Sequence, residues 1–328
     1  MVCLKSSYMK SMVSYVETAL IVAQNPPTKE PDVIPKAHLA LIAPPAPLRW
    51  TWADVIWYRV VLLLFMHLQL PWSLYVFFFE TSLATFLWAF FVLVYAGMGV
   101  TIGAHRLWAH RSFKAKPIFH WIAMMCYSTN FMEDAIDWAT THRTHHRYSD
   151  TDQDPHDSRR GFFYSHVGWL LIRENEKVKK AKSTVDVSDL YVYSMTVIFM
   201  IIIPTCVPLL WGERLWISYH VALILRYTYS LHIAFTVNSL AHMFGMKPYD
   251  INLKATESIA AIFLTAGEGW HNYHHVFPQD YRASEYPWLY NLSTVLIDFF
   301  ALFGLVYDRK IVSGEVIQKR KRRTGSKQ

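Results

Sequence analysis

The sequence has 328 residues, of which 53% are hydrophobic, 16% aromatic and only 17% charged. So apolar a composition excludes an ordinary soluble enzyme and points to an all-α integral membrane protein. The formal charge of +7 comes with no aromatic-basic module, which excludes nucleic acid as a partner; Cys3, Cys126 and Cys206 show no C-x-x-C spacing, which excludes a disulfide framework or thiolate metal site.

Residues 1–50 carry scattered charge and the prolines Pro26, Pro27, Pro31, Pro35, Pro44, Pro45 and Pro47. The apolar run Ala19 to Ala23 is too short for a signal-peptide core. This stretch reads as a disordered cytosolic leader ahead of a membrane domain over residues 51–309. Two apolar runs follow, residues 55–79 and 83–102, each near the ~20 residues a helix needs to cross a bilayer, separated only by Glu80-Thr81-Ser82. A second pair is expected over residues 191–210 and 215–237, joined by Trp211-Gly212-Glu213-Arg214. Four transmembrane helices in two hairpins result. Arg59, His67, His220, Arg226 and His232 lie in or near them and read as snorkelling or hydrogen-bonded groups rather than ligands.

The stretch from His105 to Leu190 holds 13 lysines and arginines, whereas the two hairpin loops hold only Arg214. Basic residues stay on the cytosolic side, so both termini and the middle segment are expected there. The apolar stretches 117–132 and 288–303 then lie on the cytosolic leaflet, because crossing would separate the histidines that follow. The end of the chain, residues 310–328 with Lys319-Arg320-Lys321-Arg322-Arg323, reads as a solvated basic tail.

Histidine carries the chemistry. His142, His145 and His146 stand at i, i+3 and i+4, and His271, His274 and His275 repeat that spacing, so each triplet shares one helix face. His105 and His110 form a third cluster where the second span leaves the membrane, and Asn238 and His242 share a face at the end of the fourth. The topology brings all of them together in a cytosolic helical domain. Nine imidazoles are too many for one ion and suit two. Imidazole alone does not choose among zinc, iron, copper and nickel, but a site at the membrane surface beside apolar helices suits redox chemistry on a lipid.

The runs H-R-L-W-A-H from His105, H-R-T-H-H from His142, N-S-L-A-H from Asn238, G-E-G-W-H-N-Y-H-H from Gly267, and the stretches Tyr148 to His156 and Arg160 to Leu171 resemble the membrane acyl-CoA desaturases of the stearoyl-CoA desaturase type. The resemblance covers about residues 57–309. It implies two non-haem irons (Fe) held by His105, His110, His142, His145, His146, His242, His271, His274 and His275, with Asn238 contacting one metal through water. It implies O2 and a fatty acyl-CoA as substrates in an endoplasmic reticulum membrane. Carboxylates such as Asp137, Asp150, Asp154 or Glu268 are candidates to orient the second imidazole nitrogens, and equally candidates for helix caps and surface charges. No His-Pro-Gly-Gly haem motif is present; the expected electron donor is a separate cytochrome b5 with its NADH-dependent reductase.

The resemblance also assigns Trp138 to the wall of an acyl tunnel and Arg173 to the CoA group. Phe235 replaces a tryptophan of the pattern, Met132-Glu133 a Gln-Asn pair, Thr140-Thr141 an Arg-Asp pair, and Glu174 a lysine. Fewer cations and two added carboxylates weaken phosphate binding. The segment between Leu190 and Ile203 is shorter than the pattern as well. A desaturase or hydroxylase acting on another lipid, and an impaired paralogue that associates with active desaturases, therefore stay open as alternatives. Ala89 and Leu93 are candidates for the tunnel floor.

Overall fold

Near-continuous apolar sequence forms the first two helices of the computed structural model, which describes residues 44–190 and 197–326. Helix α1 (Trp57–Phe79) has 23 residues and α2 (Leu83–Ala109) has 27. At about 1.5 Å per residue both exceed the roughly 30 Å of a bilayer's hydrocarbon core. Pro71, which has no N–H to give, follows an interruption of α1 at Gln69. Ser82 caps α2 by accepting from the Thr85 N–H. The expected leader lies largely outside the described residues, as do residues 191–196 at the start of the third expected span.

Beyond α1 and α2, no described helix is both long and apolar enough to cross a membrane. Helix α7 (Val197–Trp211) is apolar but short. Helix α8 (residues 215–243) is long enough, but polar residues dilute its apolar character. Arg226, Thr228, Ser230 and Thr236 are nonetheless buried, so they face protein rather than lipid. Arg226, for example, donates to the carbonyls of Ala222 and Thr129, both at 3.1 Å. A hydropathy window cannot see which side such groups face.

Two connections are tied together. The Glu213 carboxylate between α7 and α8 accepts from the Ser82 and Thr85 hydroxyls, both at 2.8 Å, and Arg214 pairs with Glu80 at 2.7 Å. The α1–α2 and α7–α8 turns therefore lie at the same end of the bundle.

At the other end sit α3 (Pro117–Ser128), α4 (Ala135–Tyr148), α5 (residues 162–171), α6 (Glu176–Lys182), α9 (Ile259–Leu264), α10 (His271–Val276) and α11 (Leu292–Leu302). With 12 and 11 residues, α3 and α11 reach only about 18 Å, less than a bilayer's hydrocarbon core. Gly99 lets α3 approach the α2 backbone: a Cβ there would stand 2.2 Å from the Tyr127 nitrogen. The all-helical expectation needs one amendment, a two-residue antiparallel ladder of β1 (Lys114–Ala115) and β2 (Val306–Tyr307).

The basic end is not a free solvated tail. Helix α12 (Gly314–Thr324) buries Ile317 against Tyr249, Tyr273 and Phe277. Arg320 pairs with Asp250, Lys321 pairs with Glu285 at 2.6 Å, and the Thr324 hydroxyl donates to the Tyr249 carbonyl at 2.9 Å. Lys319, Arg322 and Arg323 stay exposed.

Candidate metal centre

Four elements deliver the histidines. His105 and His110 are five apart, which on an α-helix would turn them away from each other. The last stretch of α2, Gly99–Ala109, is instead wound with i→i+5 hydrogen bonds, and the His110 N–H donates to the His105 carbonyl at 3.0 Å. Five residues then make about one turn, and the two rings lie 4.9 Å apart. On α4, capped by Asp134, His142, His145 and His146 share a face. His242 comes from the end of α8. The short α10 carries His271, His274 and His275; Glu257 accepts its Tyr273 N–H at 2.7 Å, and the Asn272 side chain spans the loop beside it, bonding Tyr249, Asp250 and Ala255 backbone groups.

The nine imidazoles divide into two groups. His105, His110, His142, His146 and His274 form one; His145, His242, His271 and His275 form the other. In the first, Nε2 atoms approach at 2.8 Å (His105 to His274, His110 to His142) and 3.0 Å (His146 to His274). In the second, the separations are 3.0 to 3.3 Å. Metal–nitrogen bonds of about 2.1 Å at right angles put neighbouring nitrogens about 3 Å apart.

Carboxylates fix the tautomers. The Nδ1–H of His105 donates to Glu268 at 2.9 Å, that of His145 to Asp154 at 2.9 Å, and that of His242 to Asp150 at 3.1 Å. Each Nε2 is then a bare lone pair facing other nitrogens, a repulsive arrangement that a cation between them reconciles. Glu268 is further held by the buried Arg106 at 2.7 Å, and Asp150 by the Ser158 hydroxyl at 2.5 Å.

Electrostatics agree. Burial, then neighbouring imidazoles, pushes His110, His142, His146, His271, His274 and His275 well below the ordinary histidine value, so they are neutral donors. For His145 burial opposes charge, but Asp154 outweighs it and the ring ends above its usual value. Burial also opposes charge on Glu268, yet Arg106 and His105 bring its carboxyl down to about 2.

A cavity of about 400 Å³ opens beside the histidines. His105, His142, His271, Asn238 and Glu268 line part of it, and apolar residues of α1, α5 and α8 line much of the rest, among them Leu62, Leu170 and Leu231. Trp138 lines it and stacks on His142 with ring centroids 4.9 Å apart; Phe235 lines it too. Asn238 thus stands at the cavity with His242 one turn away. Arg173 is exposed and outside the lining, its backbone N–H bonded to the Asp54 carbonyl. Glu133 is on the cavity wall, 3.7 Å from Arg59, and burial raises its carboxyl. Glu174 is neutralised by Lys182. Neither Ala89 nor Leu93 borders the cavity; Ala89 packs against Val76, Ile217 and Val221 instead.

Of the four candidate orienting carboxylates, Asp150, Asp154 and Glu268 meet histidines, whereas Asp137 sits in the first turn of α4 beside Asp134. Two residues gave little sign in the sequence. His156 is buried with its ring 4.3 Å from that of His145 and its Nδ1 3.5 Å from Asp154; only its place in the D-x-D-P-H run hinted at this. Arg106 behind Glu268 had no signal of its own. Arg59, expected as a snorkelling or hydrogen-bonded group, donates to the Leu170 carbonyl at 3.1 Å and also lines the cavity.

The model of the fatty acid desaturase family matches residues 80–307. The Delta(9)-fatty-acid desaturase fat-7 of Caenorhabditis elegans is 40% identical over 287 residues, covering 84% of this chain and 85% of the relative. The acyl-CoA Delta(11) desaturase of Spodoptera littoralis is 44% identical, covering 83% and 84%. Stearoyl-CoA desaturase 5 of Homo sapiens is 44% identical, covering 83% and 86%.

Proposed function

The chain belongs to the fatty acid desaturase family, and on that premise we propose that it is an acyl-CoA desaturase with two non-haem irons. The observation that carries the reading is the meeting of a largely apolar cavity with His105, His142 and His271. His105, His110, His142, His146 and His274 would hold one iron, and His145, His242, His271 and His275 the other, with Asn238 reaching one of them through water. The irons supply the O2-dependent oxidising power needed to remove hydrogen from an unactivated methylene pair. The protein's own residues do the rest. Trp138 and Phe235 confine the chain, Glu268, Asp154 and Asp150 keep the ligating nitrogens bare, and the apolar wall excludes water.

Electrons come from cytochrome b5 and its NADH-dependent reductase, drawn by the exposed basic residues Lys319, Arg322 and Arg323. Four spans, with α7 and α8 as the second hairpin and both termini cytosolic in the endoplasmic reticulum membrane, fit the shared end of the two turns. A catalytic domain over residues 51–309 completes the organisation, with residues 310–328 extending it. Arg173 contributes to the CoA group from the surface.

The test is fatty-acid analysis, with double-bond positions assigned, of a desaturase-deficient eukaryotic cell expressing this chain beside His145→Ala. New unsaturated acids that vanish in the variant support the reading. Their absence from well-expressed, iron-loaded protein refutes it. Glu133 on the cavity wall favours a second reading, an acyl lipid with a less anionic head group. Supplying such lipids to the same cells separates the two.

A further inference from the structure

Three histidines outside the metal groups form a row. The His67 Nδ1 lies 2.6 Å from the Leu63 carbonyl and its Nε2 2.9 Å from the Nε2 of His232. The His232 Nδ1 lies 3.0 Å from the His166 Nε2, and the His166 Nδ1 lies 2.9 Å from the Ser239 Oγ, itself 2.9 Å from the Phe235 carbonyl. The row joins α1, α5 and α8, and Ser239 is next to Asn238 and one turn before His242.

Counting protons defines what the row can do. Both ends are carbonyl acceptors, so its five contacts need five protons, while three neutral imidazoles and one hydroxyl bring four. In the neutral state one polarity satisfies every nitrogen: Ser239 donates to His166, His166 to His232, His232 to His67, and His67 to Leu63. A fifth proton is accepted without loss. Ser239 then turns to donate to Phe235 and accepts from the His166 Nδ1–H, and all five contacts are hydrogen bonds. Burial and His232 lower His166 to about 4, so that ring is neutral at rest. Among the described residues no carboxylate pairs with any of the three rings. The groups facing them are the imidazoles themselves, Ser239, and the Phe162 and Phe235 rings packed on His166.

We propose that His67, His232 and His166 form a single-proton site that takes up and releases one proton as a unit, Ser239 turning between His166 and Phe235 as it does so, one residue from Asn238 at the metal centre. The inference rests on the desaturase reading, which creates the need. Converting one CH2–CH2 pair to CH=CH with O2 consumes two electrons from the donor and two protons, and yields two waters; a site walled by apolar residues is served by a proton held close to it.

The test compares wild type with His232→Gln, which keeps a donor and an acceptor but cannot become a cation, and with His232→Phe. In purified, iron-loaded enzyme both variants should lower kcat about tenfold or more, leave KM and iron content unchanged, and enlarge the solvent deuterium isotope effect. Wild-type kcat and isotope effect in His232→Gln would overturn the proton-holding role and leave a structural one. A readout independent of turnover is nitrogen NMR of histidine-labelled protein in micelles. The three rings should titrate together as one shared proton, and His232→Gln should uncouple His67 from His166. Independent titration of the three in wild type refutes the proposal. If wild type makes no unsaturated product while the rings titrate as one, the desaturase reading falls and the proton site stands.

Discussion

Replacing Glu268 by glutamine tests the support of the first histidine group most directly. One carboxylate accepts from two buried donors, His105 at 2.9 Å and Arg106 at 2.7 Å. Glutamine has one acceptor oxygen, so its amide nitrogen must face one of them, donor against donor. The depression of the Glu268 carboxyl from 4.5 to about 2 corresponds to about 3 kcal/mol of stability. Breaking a buried charge pair from one side costs about 3–5 kcal/mol, a compatible figure. Because the folded value is depressed, this contribution is complete above about pH 4.5 and is lost as pH falls from there toward 2. In metal-free protein in detergent, thermal unfolding followed by tryptophan fluorescence should show Glu268→Gln well below wild type at pH 7, with the gap closing below pH 4.5. In the metal-loaded protein, a freed His105 tautomer should weaken iron binding about 10–100-fold. Equal unfolding temperatures at pH 7 together with wild-type iron content would refute the reasoning.

Other expectations follow from the same geometry. Asp154→Asn removes the charged acceptor of His145 and should cost the second group about 10–100-fold in iron affinity, read by competition with a chelator. Ala234→Leu adds bulk to the cavity wall, and the product profile should move toward shorter acyl chains in a mixed-substrate assay; an unchanged profile would remove Ala234 from the chain's path. Gly99→Ala drives a Cβ into the α3 backbone at Tyr127 and should destabilise the protein by about 1–3 kcal/mol or more, measured as a lowered unfolding midpoint.

The sequence exposed the site more fully than the fold. Two triplets at i, i+3 and i+4 are readable because α-helical winding puts them on one face, and α4 and α10 are such helices. His105 and His110 are different: their separation makes sense only with the wider winding at the end of α2, which no local pattern announces. Among the carboxylates, Asp137 stands about as close in the chain to His145 as Asp154 does, yet it serves the helix start beside Asp134 instead. The fourth expected span is not among the described helices apolar enough to cross a membrane, because hydropathy averages over a whole turn, while Arg226 and its polar neighbours on α8 are turned inward. The docking of α12, the cavity wall and the row through His67, His232 and His166 depend on residues distant in the chain meeting in space, and pairwise packing of that kind leaves no periodic trace.

Helix α12 gives the third histidine box an order of assembly. Asn272, between His271 and His274, holds the loop at Tyr249 and Asp250, and that loop is in turn clamped by Arg320 and Thr324. Every ligand leaves the ribosome before α12 does. A nascent chain stalled ahead of Gly314 would thus display all nine imidazoles with the loop beside α10 not yet clamped. Emergence of α12 completes the clamp on the loop that Asn272 holds, so the third histidine box takes its final housing late in synthesis.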